Sequence, residues 1–296
     1  MKPSPANLVF RPTLTDSGLT NRVTRDDAGW ASLSAETRRL KAGETWSFDT
    51  DDSELVCVLF GGVAHFESNR GRWTDVGERE NVFSGMPWAL YFPRRTTFTV
   101  TAVTALDFAC AWAQTDEDHE ARLVTPADSK VEIRGGGNAT RQINSIVPPG
   151  FDCHRLVAVE VYTPGGNWSS YPPHKHDNHV VGADGTLLEA DLEELYLYKQ
   201  RRPEGFALQR IYNDSRSLDA TVCAQDGDMV LVPEGYHPVS APWGYDCYYL
   251  NFLAGSAQSL ACTDDAPHAW VKGTFDTKDA RVPMVTHAMG HKGKRL

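Results

Sequence analysis

Short apolar segments recur along the whole chain, each separated from the next by glycine, proline, aspartate or asparagine. They are rich in β-branched and aromatic residues, which is typical of β-strands. Long helical periodicity is weak, and residues 28–43 are the segment where we expect a helical turn or two. Many short strands predict an all-β protein built as a sandwich or barrel. The strand-like segments are 53–68, 88–103, 105–114, 154–164, 192–199, 205–213, 228–240 and 246–255.

The two halves of the chain repeat one pattern. In each half a strand that begins with glutamate (ELVCVLF and ELYLYK) leads to an apolar strand that ends in proline, and a further apolar strand follows. This self-similarity predicts two tandem jelly-roll barrels. The join falls in residues 125–150, which are rich in Gly, Pro and polar residues, as linkers are. We therefore predict an N-terminal barrel over residues 1–133 and a C-terminal barrel over residues 134–296.

Charge and composition argue against several classes of partner. The 296 residues carry a formal net charge of -10, and the only basic run is a short one at 291–295. Such a chain is a poor candidate for binding nucleic acid or an anionic membrane. No segment reaches the roughly 18–20 apolar residues of a membrane span. The first residues, MKPSPANLVFRP, lack the apolar stretch of a secretory signal.

The six cysteines are scattered and form no CxxC motif. An even number would allow three disulfides, but a chain of this size without an export signal favours reduced, buried thiols. We therefore expect a cytoplasmic protein. The sequence leaves open whether it is a monomer or a homo-oligomer.

The segment SSYPPHKHDNH, residues 169–179, concentrates histidines. On an extended segment His174 and His176 point to the same face, so both imidazoles can reach one metal ion. A polar surface loop that contains histidines explains this segment equally well when it is taken alone. The first half of the chain has no counterpart of His-Lys-His, so we expect only the C-terminal barrel to bind a metal.

Two downstream segments supply further ligands. In the segment ELYLY, Glu194 shares a face with Tyr196, whereas Glu193 shares the other face with leucines. The tyrosine face suits a polar barrel interior, so we choose Glu194 and keep Glu193 and Glu189 as alternatives. His237 follows an apolar strand that ends in Pro-Glu-Gly-Tyr, and this turn would return its imidazole to the barrel. Three imidazoles and one carboxylate suit zinc, manganese, iron, cobalt or nickel, and the sequence does not choose among them.

The ordered set of HxH, a later Glu and a third His on a jelly-roll is the cupin arrangement. Beyond it, SSYPPHKHD, LEELYLYK, GFALQRIYN, DGDMVLVPEGYHPVSAPWGYDCYYLNFLAG and HAWV resemble the 5-deoxy-glucuronate isomerase family of myo-inositol catabolism. That family is a bicupin family, similar to the 4-deoxy-L-threo-5-hexosulose-uronate ketol-isomerases of pectin breakdown. The interval from His176 to Glu194 is much longer than in many cupins.

The resemblance implies a fold, a reaction and a cofactor. The fold would be all-β, with a degenerate N-terminal cupin barrel and a metal-binding C-terminal one. The reaction would convert 5-deoxy-D-glucuronate, a small acidic sugar, to 2-deoxy-5-keto-D-gluconate. The cofactor would be one divalent ion, zinc in the better-known relatives, with Mn²⁺ or Fe²⁺ as alternatives. Carried over residue by residue, the motif gives the metal role to His174, His176, Glu194 and His237.

An aldose–ketose isomerase must move protons between two carbons and between their oxygens, and a base near the reacting carbon is one way to do so. Tyr196 and Tyr249 are the catalytic candidates, and Tyr198 is assigned to substrate binding. The identity of the base stays open: it could be a tyrosine whose pKa is lowered by nearby charge, or a metal-bound hydroxide. A hydride shift, which needs no base, is also open.

The substrate carboxylate needs a cation. Arg210 shares a strand face with Leu208 and Tyr212, and inside a barrel it would need an anionic partner. A solvent-facing Arg210 paired with a surface acid fits the periodicity equally well, and the resemblance favours the site. We assign Arg210 to the catalytic and substrate-binding residues, and Arg141 to substrate binding as a second cation.

Two other functions stay open. A cupin dioxygenase would use Fe(II) and oxygen on the same ligands, and would show strict iron dependence and oxygen uptake. A non-catalytic bicupin would bind a uronic acid without turnover. Fold does not settle function, so the isomerase prediction depends on the motifs and the resemblance.

Overall fold

The computed structural model describes residues 8–289 and consists mainly of β-strands. The α-helix α1 (Arg25–Ala28) and 3₁₀ segments at Pro126–Asp128, Gly137–Ala139 and Ala266–Thr274 are the helical elements of this range. The prediction of an all-β protein is therefore confirmed. The basic run at 291–295 and the first seven residues lie outside the described range.

The strands of the first half are β1 (Val9–Phe10), β2 (Leu19–Val23), β3 (Leu33–Leu40), β4 (Thr45–Asp49), β5 (Ser53–Gly61), β6 (Ala64–Ser68), β7 (Gly71–Val76), β8 (Trp88–Phe92), β9 (Thr97–Ala102), β10 (Leu106–Gln114) and β11 (Arg122–Val124). The strands that follow are β12 (Val131–Arg134), β13 (Arg141–Val147), β14 (Val157–Thr163), β15 (Trp168–Ser169), β16 (His174–Lys175), β17 (Val180–Val181), β18 (Leu187–Glu189), β19 (Leu192–Gln200), β20 (Phe206–Tyr212), β21 (Asp219–Gln225), β22 (Met229–Val232), β23 (Val239–Ser240), β24 (Cys247–Gly255) and β25 (Thr263–Asp264).

Each half forms two main antiparallel sheets around an apolar core, and the second half adds the two-stranded sheets β16-β25 and β17-β18. In the first half a six-stranded sheet, β11-β8-β5-β10-β3-β2, packs on a four-stranded sheet, β4-β9-β6-β7. In the second half a seven-stranded sheet, β1-β22-β19-β24-β14-β13-β12, packs on a four-stranded sheet, β15-β23-β20-β21. The first strand of the chain, β1, therefore joins the sheet of the second half. The division at residue 134 stays a prediction.

The two larger sheets also pack against each other. In β5, Leu55 and Cys57 face the core of their own half, whereas Val56 and Val58 face the second half. Burial on both faces explains why this strand is apolar throughout instead of alternating. In β19, Leu195 and Leu197 face the first half, whereas Leu192, Tyr196 and Tyr198 face the interior of the second.

Two local expectations were wrong. Residues 28–43, expected to hold helical turns, contain strand β3, and the short helix α1 lies before it and includes only Ala28 of that segment. Residues 131–134 and 141–147, assigned to a linker, are β12 and β13 of the seven-stranded sheet. In both places pairing with neighbouring strands decides the structure, and local composition does not report such pairing.

The register of the sheets aligns the two halves. Leu55 pairs with Phe92, which directly precedes a proline in the sequence. Glu194 pairs with Val232, which also directly precedes a proline. Leu55 is therefore the first-half equivalent of Glu194, and an apolar residue stands where the second half has a carboxylate. Glu193 is by the same register the equivalent of Glu54.

Candidate metal centre

Three buried side chains of the second half converge on one point inside its barrel. Candidate ligand atoms of His176, Glu194 and His237 all lie within 4.8 Å of one another. Oε2 of Glu194 is 2.9 Å from Nε2 of His176 and 3.1 Å from Nε2 of His237. The strand β19 supplies the glutamate, and the two histidines come from the segments after β16 and after β22.

His174 lies at the edge of this group. Its ring centroid is 4.9 Å from that of His237, and its side chain is partly exposed to the cavity described below. The structure therefore brings the HxH pair and His237 to one place, with His174 on the open side.

The backbone fixes the orientation of all three imidazoles. Nδ1 of His176 is 2.9 Å from the carbonyl oxygen of Leu192, and Nδ1 of His237 is 2.8 Å from that of Gly235. Nδ1 of His174 is 3.2 Å from the carbonyl oxygen of Pro172. If each Nδ1–H donates to its carbonyl, each Nε2 presents a lone pair, which is the tautomer that metal-binding histidines need.

The turn before His237 requires glycine. Gly235 has a φ of 87°, in the left-handed region, and an added Cβ would lie 2.3 Å from the carbonyl oxygen of Tyr212. The N–H of Gly235 donates to Oδ1 of Asp177, which ties the turn to the segment that carries His176. This local structure returns the His237 side chain to the barrel interior, as the sequence predicted.

The donor set fits a divalent metal ion. Nε2 of His237 is buried and makes no hydrogen bond, although Oε2 of Glu194 lies 3.1 Å away. Buried polar atoms without a partner are costly, and a metal ion would satisfy this one. Nδ2 of Asn251 donates to Oε1 of Glu194 at 2.8 Å and orients the carboxylate.

The electrostatics of the group favour the ligand forms of Glu194 and His174, whereas for His176 the Glu194 carboxylate outweighs burial and raises the pKa. Burial alone would raise the pKa of Glu194, but the imidazoles of His237 and His176 outweigh it and hold that pKa below its usual range. Burial, together with the neighbouring His237, lowers the pKa of His174 to about 3. A carboxylate and a neutral imidazole are the forms that bind metal ions.

The metal group lies at the wall of a cavity of about 530 Å³. His174, His176 and Glu194 line it together with Ser170, Tyr196, Tyr249 and Asn251. Four cationic side chains also line it: Arg134, Arg141, Lys272 and Lys278. Arg134 and Lys272 are paired with Glu132 and Asp264, so Arg141 and Lys278 are the cations of this lining that make no ion pair within residues 8–289, and they suit an acidic ligand.

Arg141 is the buried cation of this cavity. Its guanidinium donates to the carbonyl oxygen of Tyr171 at 3.1 Å and to that of Ala139 at 3.3 Å. Among residues 8–289 it makes no ion pair, and burial lowers its pKa. A buried, unpaired guanidinium that faces a cavity is a ready site for a carboxylate.

Arg210 does not line the cavity, and the prediction that placed it there is wrong. Residues of β20 alternate, with Gln209 and Ile211 buried and Arg210 exposed. The guanidinium of Arg210 binds the carboxylate of Asp219 at 2.9 and 2.8 Å and stacks over the ring of Tyr212. The grouping of residues by face was right, but the face that carries Arg210 is the outer one.

The three predicted tyrosines differ in position. Tyr196 and Tyr249 line the cavity, whereas Tyr198 lies deeper and donates to Oε1 of Gln209 at 2.9 Å. Burial raises the pKa of Tyr249 to about 12 and raises that of Tyr196 as well. Both phenols are therefore hydrogen-bond donors at neutral pH rather than lowered-pKa bases.

The alternative acids have other partners. Glu193 accepts hydrogen bonds from the backbone N–H groups of residues 31–33 in the first half. Its first-half equivalent, Glu54, accepts from the N–H groups of residues 154–156 in the second half. Glu189 accepts from the N–H groups of residues 177 and 178 and shapes the loop after His176.

Sequence reasoning missed Ser170 and Asn251, although both line the cavity. Asn251 is the polar residue inside the apolar strand CYYLNFLAG, and a buried amide there indicates a specific partner. Ser170 stands four residues before His174, in the segment that carries the HxH motif.

The sequence of this chain is similar to those of known proteins. A sequence model of the KduI/IolB family matches residues 8–271. A curated 5-deoxy-glucuronate isomerase from Geobacillus thermodenitrificans is 42% identical over 257 residues, which cover 86% of this chain and 92% of that protein. The protein of the same name from Bacillus subtilis (strain 168) is 32% identical over 255 residues, which cover 86% and 92%.

Solved structures support the fold. An IolB-like protein from Salmonella typhimurium superposes with a TM-score of 0.85 at 37% identity, covering 89% of this chain and 98% of that one. An oxalate decarboxylase from Lactobacillus farciminis superposes with a TM-score of 0.63 at 12% identity, covering 88% and 89%. The bicupin fold predicted from the sequence is thereby confirmed. Within residues 8–289 no helix is both long and apolar enough to cross a membrane.

Proposed function

The chain belongs to the KduI/IolB family and is an isomerase, and from this premise we propose that it isomerises 5-deoxy-D-glucuronate to 2-deoxy-5-keto-D-gluconate with a divalent metal ion. The observation that carries the proposal is one cavity that holds both a buried His/Glu cluster and the unpaired guanidinium of Arg141. The first suits a metal ion, and the second suits the carboxylate of a sugar acid. A place in myo-inositol degradation, a cytoplasmic location and a small acidic sugar as partner are parts of the same proposal.

The residues that would hold the ion are His174, His176, Glu194 and His237. When bound, the ion supplies Lewis-acid polarisation of a substrate carbonyl and compensates negative charge that develops on its oxygen. Zinc is the first choice and Mn²⁺ or Fe²⁺ the alternatives, since the donor set suits each of them. Asn251 keeps the Glu194 carboxylate oriented through a hydrogen bond of 2.8 Å.

The chain's own groups would position the substrate around this centre. Arg141 would bind the substrate carboxylate through charge-assisted hydrogen bonds, which are stronger in a buried site than in water. The phenols of Tyr196 and Tyr249, both protonated, would donate to substrate oxygens. The apolar wall, which includes Ile143 and Val161, would limit water around the reacting atoms.

An NMR assay in D₂O tests the proposal. The purified protein is given 5-deoxy-D-glucuronate with and without a chelator, and the ketone product is followed. Turnover that the chelator stops and added Zn²⁺ restores is the expected result. Deuterium in the product would indicate proton exchange with solvent, and its absence would favour a hydride shift. No turnover with Zn²⁺, Mn²⁺ or Fe²⁺ would overturn the proposal, and oxygen uptake with Fe²⁺ alone would support a dioxygenase instead.

A further inference from the structure

Three hydroxyl groups meet on the wall of the cavity. Oγ of Ser170 lies 2.9 Å from the phenol oxygen of Tyr196 and 3.2 Å from that of Tyr249. All three side chains are buried and all three line the cavity. Ser170 is therefore a hydroxyl bridge between two phenols that both face the bound substrate's position.

Polar residues flank this bridge. Asn251 donates to Oε1 of Glu194 at 2.8 Å and lines the same cavity as Tyr196. Oγ of Ser169, the residue before Ser170, accepts from the hydroxyl of Thr163 at 2.9 Å. Oγ of Ser170 lies within hydrogen-bond distance of both phenols and so connects them.

The backbone of Ser170 is unusual. Its φ is 49°, in the left-handed region that non-glycine residues rarely adopt. Local strain of this kind persists only where surrounding structure imposes it, and it is frequent at functional sites. Glycine would suit this conformation better, so the serine side chain is retained at a conformational cost.

Aldose–ketose isomerisation has a proton-transfer requirement that these hydroxyls can meet. At C2 an O–H bond breaks as the carbonyl forms, and at C1 an O–H bond forms as the carbonyl is reduced. This oxygen-to-oxygen transfer is needed whether the carbon-bound hydrogen moves as a proton or as a hydride. C2 is oxidised and C1 is reduced, so no external oxidant or reductant is consumed.

We propose that Ser170 relays this proton between Tyr196 and Tyr249. The phenol nearer the C2 hydroxyl accepts its proton and passes its own to Oγ of Ser170. Ser170 passes its proton to the second phenol, and that phenol protonates the C1 oxygen. One proton enters and one leaves, so each of the three oxygens keeps one proton and none has to ionise. This inference rests on the proposed isomerase function and adds a positioning and relay residue to it.

Two substitutions separate the hydroxyl from the backbone strain. Ser170→Gly removes the hydroxyl and relieves the positive φ, so it should fold at least as stably as the wild type. Ser170→Thr keeps the hydroxyl but puts a β-branched residue at positive φ, so it should be less stable. Asp51→Gly is the matched control, because Asp51 has a φ of 47° on an exposed turn of the first half.

The experiment measures kcat, KM, metal content and thermal stability for all four proteins with 5-deoxy-D-glucuronate. We expect Ser170→Gly to lose about 10²-fold or more in kcat, the size of a general acid–base contribution, with KM and metal content unchanged. Ser170→Thr should have a higher kcat than Ser170→Gly although it is less stable than Ser170→Gly. Asp51→Gly should have the kcat and KM of the wild type. The solvent deuterium isotope effect on kcat should be larger in Ser170→Gly.

Two results would overturn the relay alone: a Ser170→Gly enzyme with wild-type kcat, or one whose activity falls only together with metal content or stability. A wild-type protein without turnover would overturn the isomerase proposal itself, and the relay with it. If Ser170→Thr does not fold, the comparison of kcat between Ser170→Gly and Asp51→Gly still tests the relay.

Discussion

Nε2 of His237 lies 3.1 Å from Oε2 of Glu194 and makes no hydrogen bond, although both side chains are buried. Nδ1 of the same ring is 2.8 Å from a backbone carbonyl oxygen, so the ring has no freedom to seek another partner. An imidazole held in this way can bind a group that is not part of the polypeptide. A divalent ion between His237, His176 and Glu194 would satisfy the orphaned nitrogen.

We predict that His237→Ala abolishes metal binding and leaves the barrel folded. The substitution removes a ligand and leaves a small cavity in a polar site that water can enter. Elemental analysis of the purified variant should show less than a tenth of the wild-type metal content, and circular dichroism should show the same sheet content. Full metal occupancy would exclude His237 as a ligand.

Adjacent glutamates on β19 give a matched pair for the choice of acid. Glu194→Gln removes the carboxylate that faces the histidines, so we expect loss of metal with little loss of stability in the metal-free protein. Glu193→Gln should keep the metal and lose about 1–3 kcal/mol of unfolding free energy, because its carboxylate accepts three N–H groups of the first half. Metal analysis and denaturant unfolding of both variants check the prediction; a Glu193→Gln protein without metal would reverse the assignment.

This pair also shows what the sequence can and cannot predict. The alternation groups Glu194 with Tyr196 and separates both from Leu195 and Leu197, because side-chain direction in a strand follows from parity alone. Parity does not say which face is inside: Arg210 was grouped correctly with Leu208 and placed on the wrong face. The strand β20 belongs to an outer sheet whose one face is solvated.

Long-range contacts explain the other differences between the site predicted from the sequence and the site in the structure. Arg141 reaches the cavity because β13 pairs with β14, and residues read as a linker thereby become part of the sheet. The role proposed for Ser170 depends on its contacts with the phenols of Tyr196 and Tyr249, which are 26 and 79 residues away in sequence. No local pattern encodes such contacts.

Asn251→Leu should weaken metal binding without destroying the site. Nδ2 of Asn251 is the donor that orients Oε1 of Glu194. Partners that orient metal ligands typically contribute about 10- to 100-fold in affinity. Competition with a chromogenic chelator would measure the metal affinity, with the thermal stability of the metal-free variant as a control for folding. Unchanged affinity in a folded variant would show that Asn251 does not support the ligand.

Arg141 and Arg210 make a second matched pair, for recognition of the substrate carboxylate. Arg141→Met removes an unpaired, buried cation from the cavity, and we expect KM for 5-deoxy-D-glucuronate to rise by about 10- to 100-fold, since hydrogen bonds to charged groups contribute roughly 1.5–3 kcal/mol. Arg210→Met should leave KM unchanged, because Arg210 is an outer-face partner of Asp219. Steady-state kinetics decide; an unchanged KM in Arg141→Met would exclude it as the carboxylate site.

A buried ion pair crosses the contact between the halves. Arg79 of the first half binds Glu160 of the second through Nη1 at 3.0 Å, and its other nitrogens donate to the carbonyl oxygen of Leu59. Both charged side chains are almost completely buried, at 2% and 0% exposure. Glu160 also accepts hydrogen bonds from Tyr162 and Tyr248, so its carboxylate is built into the interface.

Arg79→Met should therefore cost about 3–5 kcal/mol of unfolding free energy, because it leaves the charge of Glu160 buried without its cation. The double variant Arg79→Met/Glu160→Gln should recover part of this loss, since the neutral amide needs no counter-charge. Arg72→Met is the control: Arg72 pairs with Glu67 at 3.1 Å on the exposed surface, and such pairs contribute less than about 1 kcal/mol. Denaturant unfolding of the three proteins measures these differences. If Arg79→Met were as mild as Arg72→Met, the buried pair would not contribute measurably to stability.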